Sequence, residues 1–381
     1  MFFTYTDEQI ELIEAASEAA KMFLEPTVKE DDEQEIFRPE LLQQLGEAGM
    51  CGIPTSEEFE GYGKGYFEYA LILEQIAKVS SSYGISVAVS GLPQVILQEF
   101  GTQQQKSKWI PGLANGSLLG GFALSEPDSG SDAGSLTTTA IREGDFYRIT
   151  GRKFWITHGG YADVYILMAR TSGQGAKGVS AFILPKETEG LSFGKKEEKM
   201  GLRASPTVEM ILENAMVPAA NLIRNEGDGF TVAMTALDSG RITIGAISVG
   251  LAQAAFEAAS SYACERKQFG KSIIDFQGVG FMLSDMAMQI EGARLLVQKA
   301  AWLKDQGLPF THAAAMAKCV ATDVAMKVTT DAVQVHGGYG YTREYPVERY
   351  MRDAKVMQIV EGTNQVQRYV IMRNIKKQFQ K

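Results

Sequence analysis

Cysteine is scarce in this sequence, and the few cysteines lie far apart. The three present are Cys51, Cys264 and Cys319, and none has the spacing of a zinc-ligand pair. His336 likewise has no second histidine or cysteine close to it. We therefore expect neither a disulfide framework nor a metal site, a pattern typical of a reducing compartment.

Net positive charge is also absent. Acidic residues outnumber basic ones by 46 to 37, which gives a formal net charge of -9 and argues against general affinity for nucleic acid or anionic membranes. The N-terminal sequence has no basic region ahead of its apolar residues, so we expect no secretory or transit peptide. No apolar stretch approaches the roughly 20 residues of a membrane span. These features predict a cytoplasmic protein of bacterial type, and a processed protein of the mitochondrial matrix would share them.

The chain is long enough for two or three domains. Its 381 residues are 45% hydrophobic, an ordinary globular composition. Apolar residues recur at helical spacing over residues 7–112, and long helical patterns return after Gly229. Between them lie short segments rich in β-branched and aromatic residues, separated by turn pairs such as Gly144 and Asp145. We predict an α+β fold with an N-terminal helical domain (1–116), a middle antiparallel β domain (117–228) and a C-terminal four-helix bundle (229–381).

Small residues recur along one face of the longest helical segment. Ala246, Gly250 and Ala254 stand four residues apart, a spacing that places them on one side of a helix. This pattern predicts close approach of a neighbouring helix backbone, although an ordinary alanine-rich helix has the same pattern.

One carboxylate stands in an unusual local sequence. In MQIVEGTNQVQRY, residues 357–369, Glu361 follows Met357, Ile359 and Val360. Partial desolvation by these neighbours would raise its pKa and make it a stronger base once ionised. The alternative is an exposed loop acid near the positive end of a helix that Thr363 caps.

Four further segments combine glycines, hydroxyls, aromatic residues or positive charge. Residues 120–140 form a polar loop that either binds a ligand through backbone N–H groups or is an ordinary β turn. In residues 151–160, strand alternation predicts Trp155 and Thr157 on one face, which suits a flat heteroaromatic ligand or packing on helices. Residues 265–277 collect Arg266, Lys267 and Lys271 beside Phe269, either a phosphate site or a solvated helix end. Residues 334–346 place three glycines after a predicted helix, which indicates a helix end.

Taken together and in this order, the segments resemble the acyl-CoA dehydrogenase family over essentially the whole chain. The matching pieces are FALSEPDSGSD, KFWITHGG, LDSGR, ERKQFG with Gln277 after it, QVHGGYG and VEGTNQVQR. LDSGRITIGAISVGLAQ and EGTNQVQR are most similar to the short-chain, butyryl-CoA type.

The resemblance implies a bound FAD and oxidation of an acyl-CoA thioester to the trans-2-enoyl-CoA. It implies that Glu361 removes the α proton while flavin N5 takes the β hydride, and that the backbone N–H of Glu361 binds the thioester oxygen. Electron-transfer flavoprotein is the implied acceptor and a homotetramer the implied assembly, with part of each FAD held by a neighbouring subunit. The implied cofactor-binding residues are Phe122, Ala123, Leu124, Ser125, Ser131, Trp155, Ile156, Thr157, Arg266, Phe269, Gln277, Gln334, Val335, Gly337, Gly338, Thr363, Asn364 and Gln365. The implied substrate-binding residues are Ser131, Asp238, Arg241 and Gly362.

Three positions mark how this chain differs from relatives. Val360 replaces a tyrosine common before the glutamate, and His158 stands where asparagine is common, so both are expected to affect substrate preference at the rim of the site. Some branches carry the base directly before the arginine of LDSGR, where this chain has Gly240. Competing interpretations are an oxygen-using acyl-CoA oxidase or flavin oxygenase, which shares the fold, and a non-catalytic scaffold.

Overall fold

The structure, a computed structural model, describes residues 4–380. Its N-terminal part is built from α-helices. The first begins after Thr6, whose side chain accepts a hydrogen bond from the backbone of Gln9 while Gln9 returns one to Thr6. Thr102 and Gln105 cap the sixth in the same way, so two of these starts are encoded by local capping boxes. The helices are α1 (Asp7–Phe23), α2 (Val28–Gln34), α3 (Pro39–Glu47), α4 (Tyr66–Val79), α5 (Ser81–Phe100) and α6 (Gln103–Ala114).

A twisted sheet follows the helices. Its strands are β1 (Gly120–Ala123), β2 (Thr139–Glu143), β3 (Phe146–Thr157), β4 (Val164–Arg170), β5 (Val179–Pro185), β6 (Leu191–Lys196), β7 (Thr207–Pro218) and β8 (Leu222–Ile223). The strand order is β6-β7-β3-β2-β4-β5-β8, with β1 on β4. A two-residue turn joins β2 to β3, and its Gly144 has φ 63°, the left-handed conformation such hairpins need.

The sheet is mixed, whereas the sequence predicted antiparallel pairing throughout. β1 runs parallel to β4, from Gly120 opposite Val164 to Ala123 opposite Leu167, and β2 meets β4 in parallel at one residue pair. Parallel neighbours need a long connection. The polar loop and the β2–β3 hairpin supply that connection between β1 and β4. Strand segments were predictable from local pattern, but this pairing was not.

The C-terminal part is helical, as expected. It contains α7 (Gly229–Glu265), α8 (Gln277–Asp305), α9 (Thr311–His336), α10 (Val347–Met357) and α11 (Asn364–Phe379), with a short hairpin of β9 (Lys267–Gln268) and β10 (Lys271–Ser272) between α7 and α8. The three domain boundaries predicted from sequence remain a proposed division.

Helix α7 corrects the expectation that no apolar stretch nears the length of a membrane span. It is 37 residues long, and its length and hydropathy would suffice to cross a membrane, but 78% of its most apolar window is buried inside the protein. A Cβ added at Gly250 would lie 2.2 Å from the backbone oxygen of Glu74 in α4. The small-residue face therefore does admit a neighbouring helix backbone at close range.

Helix α10 links all three parts of the chain just ahead of Glu361. Asp353 is buried and accepts hydrogen bonds from the Ser81 hydroxyl at 2.6 Å and from the backbone N–H of Leu202 at 2.7 Å. Its neighbour Arg352 pairs with Asp32 of α2 at 2.7 Å. The start of the Glu361 segment is thus anchored to both the N-terminal helices and the β domain.

Candidate active site

Glu361 lies in the short connection between α10 and α11. Thr363 caps α11, because its hydroxyl accepts a hydrogen bond from the backbone N–H of Val366 at 3.2 Å. Glu361 itself has φ 54°, a left-handed conformation that costs a residue other than glycine on the order of 1 kcal/mol or more. The predicted Thr363 cap is therefore present, but Glu361 is partly buried and is not the exposed loop acid of the alternative interpretation.

The carboxylate of Glu361 is partly buried and has an unused oxygen. Within residues 4–380, its buried Oε2 atom has no hydrogen-bond partner, and a Cβ at Gly240 of α7 would lie 2.6 Å from that atom. Burial raises the pKa of Glu361 to about 7, against the opposing attraction of Arg241 and Lys318. A pKa near the working pH leaves a substantial ionised fraction with a high proton affinity, which suits a general base.

The α7 residues beside Glu361 form a polar cluster. Arg241 is 5% exposed and pairs with Asp238 one turn earlier. Asp238 also accepts a hydrogen bond from the Thr311 hydroxyl at 2.5 Å. In the part of the chain that the structure describes, no group accepts a hydrogen bond from the buried Nε of Arg241. Two predicted substrate residues, Asp238 and Arg241, are therefore brought to the same place as Glu361.

The backbone around Glu361 offers free donors. Within residues 4–380, the N–H groups of Glu361 and Gly362 make no hydrogen bond, while the N–H of Asn364 donates to the Gln358 carbonyl at 3.0 Å. On the other side of the chain, Gln367 Nε2 holds the carbonyls of Glu361 and Gly362 at 3.1 and 2.9 Å. The loop is therefore fixed through its carbonyls and leaves two N–H groups available to an acceptor.

Asn364 has a different environment from the one its predicted cofactor contact suggested. The side chain is 3% exposed, and its amide nitrogen donates to Thr322 at 2.9 Å and Asp323 at 2.7 Å, while its oxygen accepts from Lys318 at 2.9 Å. All three partners lie on α9. Its side chain ties α11 to α9, so any cofactor contact there would use the backbone or the neighbours Thr363 and Gln365.

A buried ion pair stabilises the predicted flavin segment, which consists of β1 and the loop after it. This ion pair was not predicted from the sequence. Lys153, fully buried, donates to the Leu124 carbonyl at 3.0 Å and to Glu126 at 2.8 Å. Burial disfavours the ionised Glu126, but Lys153 and hydrogen bonds from Thr137 and Thr138 outweigh it and lower the pKa of this carboxyl. In the segment, Ala123 and Leu124 are buried, Phe122 and Ser125 are partly buried, and Ser131 is exposed.

The predicted alternation along β3 is interrupted. Pairing with β7 shifts register between Lys153 and Ile156, and Trp155 has φ 64°, the signs of a β-bulge. Uninterrupted alternation would place Lys153 and Trp155 on one face, yet Lys153 is buried and Trp155 is 61% exposed. Ile156 is buried and Thr157 partly buried. The bulge therefore turns the indole outward.

The sequence suggested that His158 lies at the rim of the site, but the structure places it in the interior. It is fully buried, stacks on Phe37 with ring centroids 5.3 Å apart, and its Nδ1 lies 3.0 Å from the Gly120 carbonyl. Burial lowers the pKa of His158 to about 4, so the ring is neutral at physiological pH. Its effect on the substrate can only be indirect, through β1.

The remaining predicted cofactor residues form a second, exposed group in the C-terminal part. Phe269 is 95% exposed, and a Cβ at Gly337 or Gly338 would meet no atom within 4 Å. Val335 is buried at 7% exposure, so only its backbone is available to a ligand. The exposed members of this group are Arg266, Phe269, Gln277, Gln334, Gly337 and Gly338.

This combination of fold and site defines a known class. Models of the acyl-CoA dehydrogenase N-terminal, middle and C-terminal domains match residues 6–117, 121–215 and 227–376. The chain belongs to the acyl-CoA dehydrogenase family and is an oxidoreductase. The predicted family and its order of helical, β and helical domains are therefore confirmed.

Relatives of the short-chain type are similar over nearly the whole length. The chain is 46% identical to the short-chain specific acyl-CoA dehydrogenase of Clostridium acetobutylicum, over 97% of this chain and 98% of that protein. The structure of butyryl-CoA dehydrogenase from Megasphaera elsdenii is 44% identical, with a TM-score of 0.97 and coverage of 99% and 100%. A chain from a structure described as the electron transferring flavoprotein of Acidaminococcus fermentans is 48% identical, with a TM-score of 0.97 and coverage of 98% and 99%.

Proposed function

We propose that this protein catalyses FAD-dependent α,β-dehydrogenation of a short-chain acyl-CoA, with Glu361 as the base. The observation that carries the proposal is the Glu361 carboxylate: it is partly buried, one oxygen has no partner, and its pKa is about 7. A carboxylate with its ordinary pKa would be a weaker base toward the α C–H of a thioester. The similarity to short-chain relatives supports the substrate class.

The free backbone donors give Glu361 a second role in the proposal. Removal of an α proton places negative charge on the thioester oxygen, and a preorganised N–H group stabilises that charge. The N–H of Glu361 has no acceptor within the described part of the chain, so it is available for this oxygen. Asp238, Arg241, Gly362 and Ser131 would line the acyl-CoA path, and Gly240, which has no side chain, leaves room on α7 for the Glu361 carboxylate.

The residues present fit an FAD. Exposed Trp155, the bulged backbone through Thr157 and the β1 segment would hold the isoalloxazine and ribityl parts, and Thr363 and Gln365 stand at the positive N-terminal end of the 16-residue α11. Arg266, Phe269, Gln277 and the open glycines after α9 present positive charge and unobstructed backbone suited to a pyrophosphate and adenine. When bound, FAD would accept the hydride from the β carbon.

Two sets of cofactor residues in different domains support a shared site. We propose a homotetramer in which the C-terminal set serves the FAD of a neighbouring subunit. Inactive Arg266→Glu and inactive Glu361→Gln chains mixed in one oligomer should regain part of the activity, because some sites contain neither change. Mixed oligomers that bind FAD and remain inactive would contradict a shared site.

Electron-transfer flavoprotein is the proposed acceptor. The family and the likeness to a chain described with such a flavoprotein support this choice. Turnover with that acceptor should far exceed hydrogen peroxide production, and comparable rates would favour the oxygen-using oxidase or oxygenase. The free base Glu361, together with Thr157 and Arg266, argues against a non-catalytic scaffold. A colourless protein that cannot be reconstituted with FAD would support the scaffold instead.

Anaerobic bleaching of the bound flavin tests the reaction and its substrate class together. Acyl-CoAs from four to sixteen carbons, including branched chains, would be mixed with the protein and the flavin absorbance followed. We expect the fastest bleaching with the shortest chains. No bleaching by any acyl-CoA would refute the proposed function.

A further inference from the structure

A buried lysine lies directly behind the Glu361 loop. Lys318 of α9 is 0% exposed. Its Nζ donates to the carbonyl of Gly362 at 3.0 Å and to Asn364 Oδ1 at 2.9 Å. Both acceptors belong to the segment that carries Glu361, so the ammonium group holds this loop from the side of α9.

Lys318 has no direct ionic partner. Within residues 4–380 no carboxylate oxygen lies within 4.0 Å of its Nζ, although other buried cations such as Lys153 have one. A buried ammonium without a paired carboxylate is costly. Burial lowers the pKa of Lys318 most, and the titratable groups that act on it are then Glu361, Cys319 and Asp323 of α9, which raise its pKa, and Arg241 of α7, which lowers it. Those that act on Glu361 are Arg241 and Lys318.

The acceptors of Lys318 are themselves fixed. Asn364 is held by Thr322 and Asp323, and Asp323 also accepts from Gln358 at 2.7 Å, ahead of Glu361. Residues on both sides of Glu361 are therefore tied to one stretch of α9. This support explains how Glu361 keeps its left-handed backbone, since such a conformation persists only where its surroundings impose it.

We infer that Lys318 is a positioning residue for Glu361: its hydrogen bonds to Gly362 and Asn364 fix the loop that carries the carboxylate, and its buried ammonium group lies behind that loop. The inference rests on the proposed role of Glu361 as the base. Lys318 touches no substrate atom in this scheme and acts through Glu361.

The direction of the effect follows from the charges. Removing the Lys318 charge withdraws one of the two attractions that oppose burial, so the pKa of Glu361 should rise above about 7. A rise of about one unit in the pKa of Glu361 would lower its ionised fraction at pH 7 about fivefold. The deficit should shrink toward pH 9, because Glu361 ionises there in either protein and because burial lowers the pKa of Lys318 to about 8, so the native lysine also loses its charge.

The test compares Lys318→Met and Lys318→Gln, both uncharged, with Lys318→Arg, which keeps the charge, and with Lys327→Met as a control. Lys327 lies on the same helix but is exposed and pairs with Asp331. Circular dichroism and flavin content would confirm folding. The Glu361 carboxyl would be titrated by infrared spectroscopy with the Glu361→Gln spectrum subtracted, and flavin reduction by butyryl-CoA followed by stopped flow from pH 6 to 9.

We expect a higher Glu361 midpoint in the two uncharged variants, with slower reduction near pH 7 and nearly unchanged acyl-CoA binding. Lys318→Arg should restore much of the native midpoint, and Lys327→Met should match the native protein. An unmoved midpoint in a folded uncharged variant, or a rate deficit equal at pH 6 and pH 9, would overturn the inference. If no acyl-CoA reduces the flavin of the native protein, the proposed function fails instead. The infrared midpoints of Glu361 would still test its coupling to Lys318.

Discussion

Moving the base from position 361 to position 240 tests whether one carboxylate at this point in space is what the reaction requires. A Cβ at position 240 would lie 2.6 Å from Glu361 Oε2 and 2.8 Å from Cδ, so two long side chains cannot share the space. We therefore expect the double variant Glu361→Gly/Gly240→Glu to reduce its flavin. Adding Gly240→Glu to Glu361→Gln should restore less flavin reduction, because the two long side chains clash.

The structure indicates that the exchanged protein should fold. Glycine adopts the φ of 54° at position 361 without the cost borne by glutamate. Position 240 lies inside α7, where replacing glycine by glutamate improves helix propensity by roughly 0.5–1 kcal/mol. Thermal unfolding should show no loss of stability relative to Glu361→Gly alone.

The kinetic expectation separates the two variants. Glu361→Gly alone lacks the base and should reduce its flavin about 10² to 10⁴-fold more slowly than the native protein. The exchanged variant should recover a measurable part of that loss, because a carboxylate rooted on α7 reaches the same region. Anaerobic stopped-flow absorbance of the flavin is the assay, with Glu361→Gln as the isosteric control. Near-native reduction by Glu361→Gly alone, or no gain from adding Gly240→Glu, would refute the reasoning.

Three further predictions concern packing, the buried ion pair and pH. Gly250→Ala should lower the free energy of unfolding by about 1–3 kcal/mol, because the added Cβ would meet a backbone oxygen. Gly292→Ala, in open space on α8, should raise the free energy of unfolding by roughly 0.5–1 kcal/mol. Urea unfolding would measure both changes. Lys153→Met should cost about 3–5 kcal/mol by leaving Glu126 buried and unpaired, and Lys153→Met/Glu126→Met should cost less, as thermal unfolding would show. Flavin reduction should rise with pH through about 7, because only ionised Glu361 accepts a proton; a flat profile between pH 6 and pH 8 would contradict this.

Local pattern was sufficient for most elements. Apolar periodicity predicted helices over residues 7–112 and again after Gly229, and α1 begins at Asp7, α6 ends at Ala114 and α7 begins at Gly229. The turn pair Gly144 and Asp145 predicted a break between two strands, and it joins β2 to β3. Period, capping and turn chemistry involve residues a few positions apart, so these signals are present in any short window.

The residues that surround the Glu361 carboxylate could not be predicted from its chain neighbours alone. The sequence attributed its desolvation to the preceding Met357, Ile359 and Val360. In the structure Met357 is buried, but Ile359 is 52% exposed. The carboxylate is instead confined by Gly240 of α7 and influenced by Arg241 and Lys318. The sequence predicted a raised pKa for Glu361, which the structure also has, but assigned the shift to its chain neighbours.

The sequence by itself determined the helices, most strands, the family and the identity of the candidate base, because these depend on short-range pattern and on recognisable motifs. Only the tertiary structure decided the parallel pairing of β1, the bulge at Trp155, the burial of His158 and the place of Lys318 behind the Glu361 loop. Each of these depends on segments far apart in the chain being packed together. Contact between such segments sets desolvation and charge interactions, which no single stretch of sequence contains.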